Sequence, residues 1–423
     1  MADSRFRPTV AVFSGGGTGG HLYPALALAQ ALGRIRPDLE PFFVGARQGV
    51  EARILPERGW SHLLLPVRGF RRGRIWENLL VLWALLRSMI LTGRLFSHLR
   101  PGIVVVTGGY AGGPAGLMAG LMGIPLALQE QNAFPGFTTR VLSRWSRQVH
   151  LAFPEAIDHL PRRARSRARV TGNPVREAVS LEPIEAKAHF GISGEARVLL
   201  VVGGSQGAEA LNRVVLEVVR EIEAGGLKRP EGTTLLWATG PKHLEGIRVE
   251  VERLGATGWV HLHGFIQEMP QALRAATLAI SRAGAMATSE FLACGVPVIL
   301  VPLPTAAADH QRRNAESLAA AGTAVHLPQS ELSASALWRE VVSLLTDPDE
   351  LEGMRRAALE MGRPEATRRI AEALEGLLPR PELRPSAGGV VDAAPPLPED
   401  PPGIAEAPEG SPPTDGAPEG GRG

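Results

Sequence analysis

Short apolar runs alternate with helix-like segments along both halves of this 423-residue chain. The runs are apolar at successive positions, which is typical of parallel strands that are covered on both faces. Helices are predicted at 22–35, where Pro24 falls in the first turn, and at 366–378. The predicted strands are 8–13, 41–44, 61–65, 103–107, 125–129 and 148–152, then 198–202, 234–238, 260–263, 278–281, 298–301 and 323–326.

A glycine-rich loop follows the first predicted strand of each half, at 15–21 and at 203–207. Each loop joins a strand to a helix start, where backbone N–H groups and the helix dipole can approach a phosphate. Two such loops predict an α/β fold in which two Rossmann-like domains face a cleft. That arrangement suits a reaction between two phosphorylated substrates.

Changes in composition predict where the domains end. The expected divisions are a first domain at 1–172, a second at 173–358, a closing helix at 359–379 and a tail at 380–423. Pro174 disfavours helix at the residue before it, which supports the first boundary. The tail holds eight acidic and three basic residues but no aromatic residue, so we expect it to be disordered and without a catalytic role.

Charge and cysteine content narrow the possible partners. The whole chain carries a net charge of +2, so an acidic tail implies a basic body that prefers anionic partners. The basic residues are not interleaved with aromatic ones, which argues against nucleic-acid binding. The single cysteine, Cys294, excludes an internal disulfide and fits a reducing compartment. We expect no metal, no other cofactor and no signal peptide, and we interpret residues 347–349 as a turn.

The first glycine loop favours phosphate binding over hydride transfer. Gly15, Gly17 and Gly20 match the dinucleotide pattern, but the second predicted strand lacks the acidic residue that an NAD site needs for the ribose. No Lys-Ser or Lys-Thr follows the glycines, so the Walker pattern fails as well. Thr18 adds a hydroxyl donor at this position.

Three polar positions have both a chemical and a structural interpretation. His21 could act as a general base, or it could only cap the helix and bind phosphate. Glu290 could bind two ribose hydroxyls, or it could only complement the helix dipole. The polar segment 309–314 could bind sugar hydroxyls through its amides, or it could be an ordinary loop.

Taken in the order in which they occur along the chain, the motifs resemble the MurG family of peptidoglycan glycosyltransferases, in glycosyltransferase family 28. The resemblance covers about residues 8–378 and rests on segments 15–24, 108–114, 130–132, 171–176, 203–208, 264–266, 281–290 and 310–314. It implies the GT-B fold and an inverting transfer of N-acetylglucosamine from UDP-GlcNAc to the 4-hydroxyl of the muramyl sugar of lipid I, which forms lipid II. The family needs no metal in this step.

The resemblance also implies roles for individual residues. The catalytic residue would be His21, and the acceptor diphosphate would lie against Gly16, Gly17, Gly109 and Tyr110. The residues implied for UDP-GlcNAc are Thr18, Gly19, Gly20, Asn132, Arg176, Ser205, Gln206, Phe265, Ile266, Ala285, Met286, Ala287, Glu290, His310 and Gln311.

Two positions depart from the family pattern. Gln129 stands where the family usually has histidine, which argues against an essential proton transfer there. Ala287 stands where threonine is frequent, which would leave only a backbone amide for the phosphate.

A basic and apolar segment near residue 75 suggests a membrane-facing patch. The residues predicted for it are Arg72, Ile75, Trp76, Leu79 and Trp83, with Arg140, Arg144 and Trp145 as a possible extension. The apolar run is far shorter than the ~20 residues that span a bilayer. The alternative is a helix buried against the sheet. We favour a mixture of the two, because the apolar residues cover nearly every face of the helix. The resemblance implies a peripheral enzyme at the cytoplasmic face of the bacterial membrane.

Three other functions remain to be weighed. A UDP-GlcNAc 2-epimerase would use the same fold and nucleotide sugar without a lipid acceptor, and would need carboxylates near the sugar. A nucleotide-dependent oxidoreductase lacks its ribose-binding acid. A non-catalytic binding protein is disfavoured because His21, Arg176, Glu290 and Gln311 are all present.

Overall fold

The computed structural model describes residues 8–67, 75–175, 181–204, 207–306 and 309–382, with the backbone alone for 75–80 and 82. Within these ranges the chain forms two sheets in which every neighbouring pair of strands is parallel. Parallel strands need long crossover connections, and the helices between the strands supply them.

In the described ranges the first sheet has seven strands in the order β3-β2-β1-β4-β5-β6-β7. They are β1 (Thr9–Ser14), β2 (Leu39–Ala46), β3 (His62–Leu65), β4 (Ile103–Val106), β5 (Leu126–Glu130), β6 (Gln148–Leu151) and β7 (Ala168–Val170). The second sheet, counted over the same ranges, has six strands in the order β10-β9-β8-β11-β12-β13. They are β8 (Arg197–Val202), β9 (Thr233–Ala238), β10 (Val260–His263), β11 (Ala276–Ser281), β12 (Val298–Leu300) and β13 (Ala324–His326).

The helices cover both faces of the sheets. They are α1 (Gly19–Ile35), α2 (Glu51–Glu57), α3 (Ile75–Leu99), α4 (Gly112–Met122), α5 (Phe137–Leu142), α6 (Arg162–Arg165), α7 (Pro183–His189), α8 (Glu209–Glu223), α9 (Leu244–Arg253), α10 (Met269–Ala275), α11 (Ala285–Cys294), α12 (His310–Ala320), α13 (Ala334–Thr346), α14 (Pro348–Met361) and α15 (Ala366–Glu375). Short 3₁₀ helices lie at Pro154–His159 and Ala256–Gly258.

Each sheet separates two hydrophobic cores. On β1, Val12 packs into one core while Ala11 and Phe13 pack into the core on the opposite face. On β8, Leu199 and Val201 likewise face one core, and the alternate residues face the other. Side chains of a strand alternate between faces, so a strand buried on both faces must be apolar at successive positions. This requirement explains the runs seen in the sequence.

The twelve predicted strands are present, with ends that agree to about two residues. β7 was not predicted, because it is short and carries Arg169 within a basic stretch. The predicted turn at 347–349 was wrong. Asp347 instead caps α14, where its side chain accepts a hydrogen bond from the backbone N–H of Glu350 at 2.9 Å, and Pro348 takes a first-turn position that needs no N–H.

The last described helix returns to the first sheet. Ile370, Ala371 and Leu374 of α15 are fully buried in the core that also contains α1. Gln148 of β6 donates a hydrogen bond to the backbone oxygen of Ala373 at 3.0 Å. Helix α15 therefore fastens the end of the second half to the first domain. The tail predicted to be disordered lies outside the described residues from 383 onward.

Candidate active site

Both glycine loops lie at the point where the strand order of a sheet reverses direction. In the first sheet β1 and β4 are neighbours, and in the second β8 and β11 are neighbours. The connections that follow such a pair diverge to opposite sides and leave a crevice at the carboxyl ends of the strands. The loops that follow β1 and β8 therefore each line a crevice where a ligand can bind.

The loops after β1 and β4 pack closely on one another. Gly109 has a φ of +74°, and a Cβ there would lie 2.2 Å from the backbone oxygen of Gly16. A Cβ on Gly17 would lie 2.6 Å from the ring of Tyr110. Only glycine permits this approach. The structure thus brings together the four residues that were predicted for the acceptor.

A buried carboxylate beneath this loop was not predicted. Glu51 is 0% exposed and accepts hydrogen bonds from the backbone N–H of Gly17 at 3.0 Å and of Ala46 at 2.8 Å. The Gly17 N–H is therefore bonded within the protein in this structure. Burial and, second, the Glu51 charge raise the pKa of Tyr110, which keeps its hydroxyl protonated.

His21 lies in the first turn of α1 and is held through one ring nitrogen. Its Nδ1 is 2.8 Å from Oε1 of Gln131 and 3.1 Å from the backbone oxygen of Thr107. The Thr107 hydroxyl donates to the backbone oxygen of His21 at 2.7 Å. The imidazole is therefore fixed between the loops that follow β1, β4 and β5.

Gln129, Gln131 and Asn173 form a buried chain of side-chain amides behind His21. They are 1%, 2% and 1% exposed. Gln131 donates to Oε1 of Gln129, and Gln129 donates to Oδ1 of Asn173 at 2.8 Å. Asn173 then donates to the Ser289 hydroxyl at 2.8 Å, on helix α11 of the second half. The motif segments 130–132 and 171–176 include Gln131 and Asn173, but neither of them was assigned a role from the sequence.

A cavity of about 510 Å³ opens beside the second glycine loop. Its walls include Gly203, Gly204 and Gly207, together with two residues predicted for the donor, Ala287 and Gln311. The volume falls in the usual range for small-ligand sites. Its wall also includes Arg282, which lies in the predicted segment 281–290 but had been given no role of its own.

Arg282 fixes the far wall of this cavity. Arg282 is 9% exposed, and its guanidinium donates to the backbone oxygens of Val301 at 3.0 Å and Pro302 at 3.2 Å. Burial lowers its pKa. Removing the guanidinium would leave the loop after β12 without these two bonds.

Helix α11 begins at the cavity. Gly284 caps it, and Ala285, Met286 and Ala287 are its first three residues, whose N–H groups have no partner within the helix. Glu290 lies further along the same helix and is partly exposed. Burial and, second, the Glu290 charge raise the pKa of Cys294 to about 11, so this thiol stays protonated.

The start of helix α12 joins the two halves. Asn314 accepts a hydrogen bond from the backbone N–H of Ala133 at 3.4 Å and donates to the backbone oxygen of Ala283 at 3.2 Å. Gln311 accepts from the backbone N–H of Leu303 at 2.9 Å. His310 is the first residue of this helix, next to Gln311.

The remaining donor residues occupy varied positions. Asn132 bonds through its amide to Glu130 at 3.2 Å. Phe265 and Ile266 follow β10 at the sheet edge and are 42% and 2% exposed. Thr18 precedes α1, and Gly19 and Gly20 are its first two residues. Arg176, Ser205 and Gln206 lie outside the described residues.

An apolar surface lies on α3, α4 and the turn after α5. We call it the α3–α4 surface and define it by its exposed members Trp83, Leu86, Ile90, Leu121 and Trp145. A Cβ added to Gly93 of α3 would lie 3.0 Å from Met118 of α4, and one added to Gly120 of α4 would lie 3.1 Å from Trp145. The three segments are therefore in close contact. Among the residues predicted for the membrane patch, Trp83 belongs to this surface and is 67% exposed. Arg72 and the side chains of Ile75, Trp76 and Leu79 lie outside the described parts. Within those parts no helix is long and apolar enough to cross a bilayer.

Both halves of the chain match domains of one known protein family. Residues 11–151 match the glycosyltransferase family 28 N-terminal domain, and residues 198–370 match the glycosyltransferase family 28 C-terminal domain. A protein of Moorella thermoacetica (strain ATCC 39073 / JCM 9320) is 39% identical over 368 residues, which are 86% of this chain and 97% of that protein. A protein of Salinibacter ruber (strain DSM 13855 / M31) is 38% identical over 367 residues, which are 86% of this chain and 96% of that protein. Both are named UDP-N-acetylglucosamine--N-acetylmuramyl-(pentapeptide) pyrophosphoryl-undecaprenol N-acetylglucosamine transferase.

Solved structures share the architecture. Acinetobacter baumannii MurG superposes with a TM-score of 0.68 at 28% identity, over 87% of this chain and all of that one. A UDP-GlcNAc 2-epimerase from Neisseria meningitidis, bound to UDP-GlcNAc, has a TM-score of 0.57 at 13% identity, over 87% of this chain and 100% of that one. The second likeness is one of fold alone. The predicted GT-B arrangement of two Rossmann-like domains is confirmed.

Proposed function

The chain belongs to glycosyltransferase family 28, and from that membership we infer that it is a hexosyltransferase of peptidoglycan synthesis. It transfers N-acetylglucosamine from UDP-GlcNAc to the 4-hydroxyl of the muramyl sugar of lipid I and so forms lipid II. One observation carries this inference. The chain matches 97% of the length of a protein that is named as the transferase for this reaction. The two family-model matches, at residues 11–151 and 198–370, include both glycine loops.

We propose that the second half binds the donor. The N–H groups of Ala285, Met286 and Ala287 at the start of α11 suit the diphosphate, because an unpaired helix N-terminus attracts anions. Their positive field stabilises the charge that develops on UDP as it leaves, without a metal ion. Arg176, Ser205 and Gln206 would contact the same diphosphate, as the family resemblance implies.

The sugar and the nucleoside would occupy the flanks of this site. Glu290 has two carboxylate oxygens, which suit the two vicinal ribose hydroxyls. Phe265 and Ile266 would border the uracil through their backbone. Gln311, His310 and Asn132 would contact the N-acetylglucosamine. The hydrogen bond that Gln311 accepts from the backbone N–H of Leu303 supports this role because it fixes the amide.

We propose His21 as the base of an inverting displacement. The 4-hydroxyl oxygen forms a bond to the anomeric carbon while the bond from that carbon to the UDP oxygen breaks. The hydroxyl proton passes to the imidazole, and the electron pair of the broken bond leaves with UDP. A neutral imidazole can accept this proton near neutral pH. The loops around Gly16, Gly109 and Tyr110 would hold the acceptor diphosphate beside it.

We further propose that the enzyme docks at the cytoplasmic face of the bacterial membrane, where a polyprenyl-linked acceptor resides. Trp83, Leu86 and Ile90 expose apolar side chains on one stretch of α3. Arg87 lies among them and Arg94 follows four residues after Ile90, and both arginines are exposed. Apolar side chains can enter the acyl boundary while the arginines meet lipid phosphates.

The test is UDP release from UDP-GlcNAc with and without a lipid I analogue. The native chain is compared with His21→Ala and with His189→Ala, an exposed histidine on α7 that serves as the matched control. We expect acceptor-dependent release with a disaccharide product, a rate loss of about 10²–10⁴-fold in His21→Ala, and none in the control. Acceptor-independent conversion of UDP-GlcNAc would instead indicate the epimerase. Tight donor binding without turnover would indicate a binding protein.

A further inference from the structure

The buried amides behind His21 are oriented from one end of their chain. Nδ2 of Asn173 lies 3.1 Å from the backbone oxygen of Gln131 and 3.3 Å from that of Ala285. Backbone oxygens only accept hydrogen bonds, so the NH₂ group of Asn173 must face them. Its Oδ1 then faces Gln129 and can only accept.

The orientation of Asn173 determines the orientations of both glutamines. Gln129 must turn its NH₂ group to Asn173 and its Oε1 to Gln131. Gln131 must then donate to that oxygen through its own NH₂ group. The backbone oxygen of Thr107, 2.6 Å from Nε2 of Gln131, requires the same orientation independently. Oε1 of Gln131 is therefore the atom that faces His21.

The orientation of Gln131 decides which nitrogen of His21 carries hydrogen. Nδ1 meets two oxygens that can only accept, Oε1 of Gln131 and the backbone oxygen of Thr107. Nδ1 must then carry the hydrogen, and the lone pair lies on Nε2. When Nε2 takes a proton, the same two oxygens stabilise the positive ring.

We propose that Gln129, Gln131 and Asn173 are positioning residues that keep His21 in the tautomer with Nδ1 protonated and Nε2 free to take the acceptor proton. The proposal rests on the role of His21 given above. It also gives Gln129 a function, because an amide that accepts at one atom and donates at the other links Gln131 to Asn173. A histidine there could do the same through its two ring nitrogens.

The chain of amides spans the two halves of the protein. Asn173 reaches the carbonyl of Ala285 and the hydroxyl of Ser289 on α11, the helix proposed to hold the donor diphosphate. The base in the acceptor half is thus also held from the donor half. This contact between the halves adds to the orientation that the Thr107 carbonyl gives Gln131 within the first half.

The direct test is the nitrogen NMR spectrum of the full chain labelled with ¹⁵N-histidine. His21 is assigned by the loss of its signals in His21→Gln. The proposal predicts a protonated-type shift for Nδ1 and a pyridine-type shift for Nε2 in the resting protein. The reverse pattern would overturn it. These shifts do not depend on turnover, so a failure of the proposed transferase activity would be seen separately in the UDP-release assay.

A kinetic test separates hydrogen bonding from packing. Gln129→Met and Gln131→Met keep the side-chain length but remove the amide, and we expect kcat to fall by about 10- to 100-fold with little change in KM for UDP-GlcNAc. Gln129→His should recover most of the kcat that Gln129→Met loses. Equal losses in the two Gln129 variants, or native kcat in both methionine variants, would contradict the proposal. Thermal unfolding checks that each variant is folded.

Discussion

His150 on β6 is a buried histidine whose titration should control acid stability. It is 1% exposed, its Nε2 lies 3.1 Å from Oε1 of Gln148, and its Nδ1 lies 3.4 Å from the hydroxyl of Thr171. Burial, and second the charge of Arg169, lower its pKa from 6.5 to about 4. The folded protein therefore holds this ring neutral at pH values where an unfolded chain would protonate it.

The direction of the effect follows from proton binding. Between pH 6.5 and about 4 the unfolded state binds more protons at this residue than the folded state, so the free energy of unfolding falls as the pH falls. The contribution is fully present above pH 6.5 and is lost by about pH 4. At 1.36 kcal/mol per pH unit, the full interval corresponds to about 3 kcal/mol, and the part between pH 6.5 and 5 to about 2 kcal/mol.

The perturbation is His150→Gln, which removes the titrating ring and keeps a polar side chain. Urea unfolding is measured at pH 7.5 and pH 5 for both proteins. We expect the native protein to lose about 2 kcal/mol more than the variant over this range. His261 and His263, whose pKa values burial also lowers, are present in both proteins and cancel in the comparison. Parallel pH dependence in the two proteins would refute the reasoning.

Three further substitutions test separate parts of the structure. Trp83→Ser should weaken binding to anionic vesicles by about tenfold, because this side chain is 67% exposed on the α3–α4 surface, and should spare turnover of a soluble acceptor; equal loss of both would contradict docking. Gly109→Ala should lower kcat/KM for the acceptor more than about tenfold, since its Cβ would lie 2.2 Å from the oxygen of Gly16, while calorimetry shows donor binding intact; unchanged kcat/KM would contradict the packed loops. Asn212→Leu should cost about 2–3 kcal/mol in urea unfolding, because it leaves the buried indole N–H of Trp237 unpaired; a loss below about 1 kcal/mol would contradict this.

The strands could be predicted because burial on both faces leaves a direct mark on the sequence. Every residue of β4 is buried, and its side chains supply both cores of the first sheet. β7 left no such mark, since its short edge position tolerates Arg169 and the exposed Val170. The glycine loops could be predicted because close approach of neighbouring groups excludes other residues at positions such as Gly17 and Gly207.

The network around the candidate base could not be predicted, because its members are far apart in sequence. His21 and Gln131 are separated by 110 residues, and Gly17 and Glu51 by 34. A buried glutamine or glutamate in a sequence gives no sign of which backbone group it will bond. Only the fold brings the ends of β1, β4 and β5 together and determines those partners.

The linkage of the reaction product tests the central claim most directly. The full chain is incubated with UDP-GlcNAc and a lipid I analogue, and the new glycosidic bond is identified by NMR together with the yield of UDP. The account predicts a β-1,4 linkage between N-acetylglucosamine and the muramyl sugar, with equal amounts of disaccharide and UDP. An α linkage, or conversion of UDP-GlcNAc without any disaccharide, would contradict it.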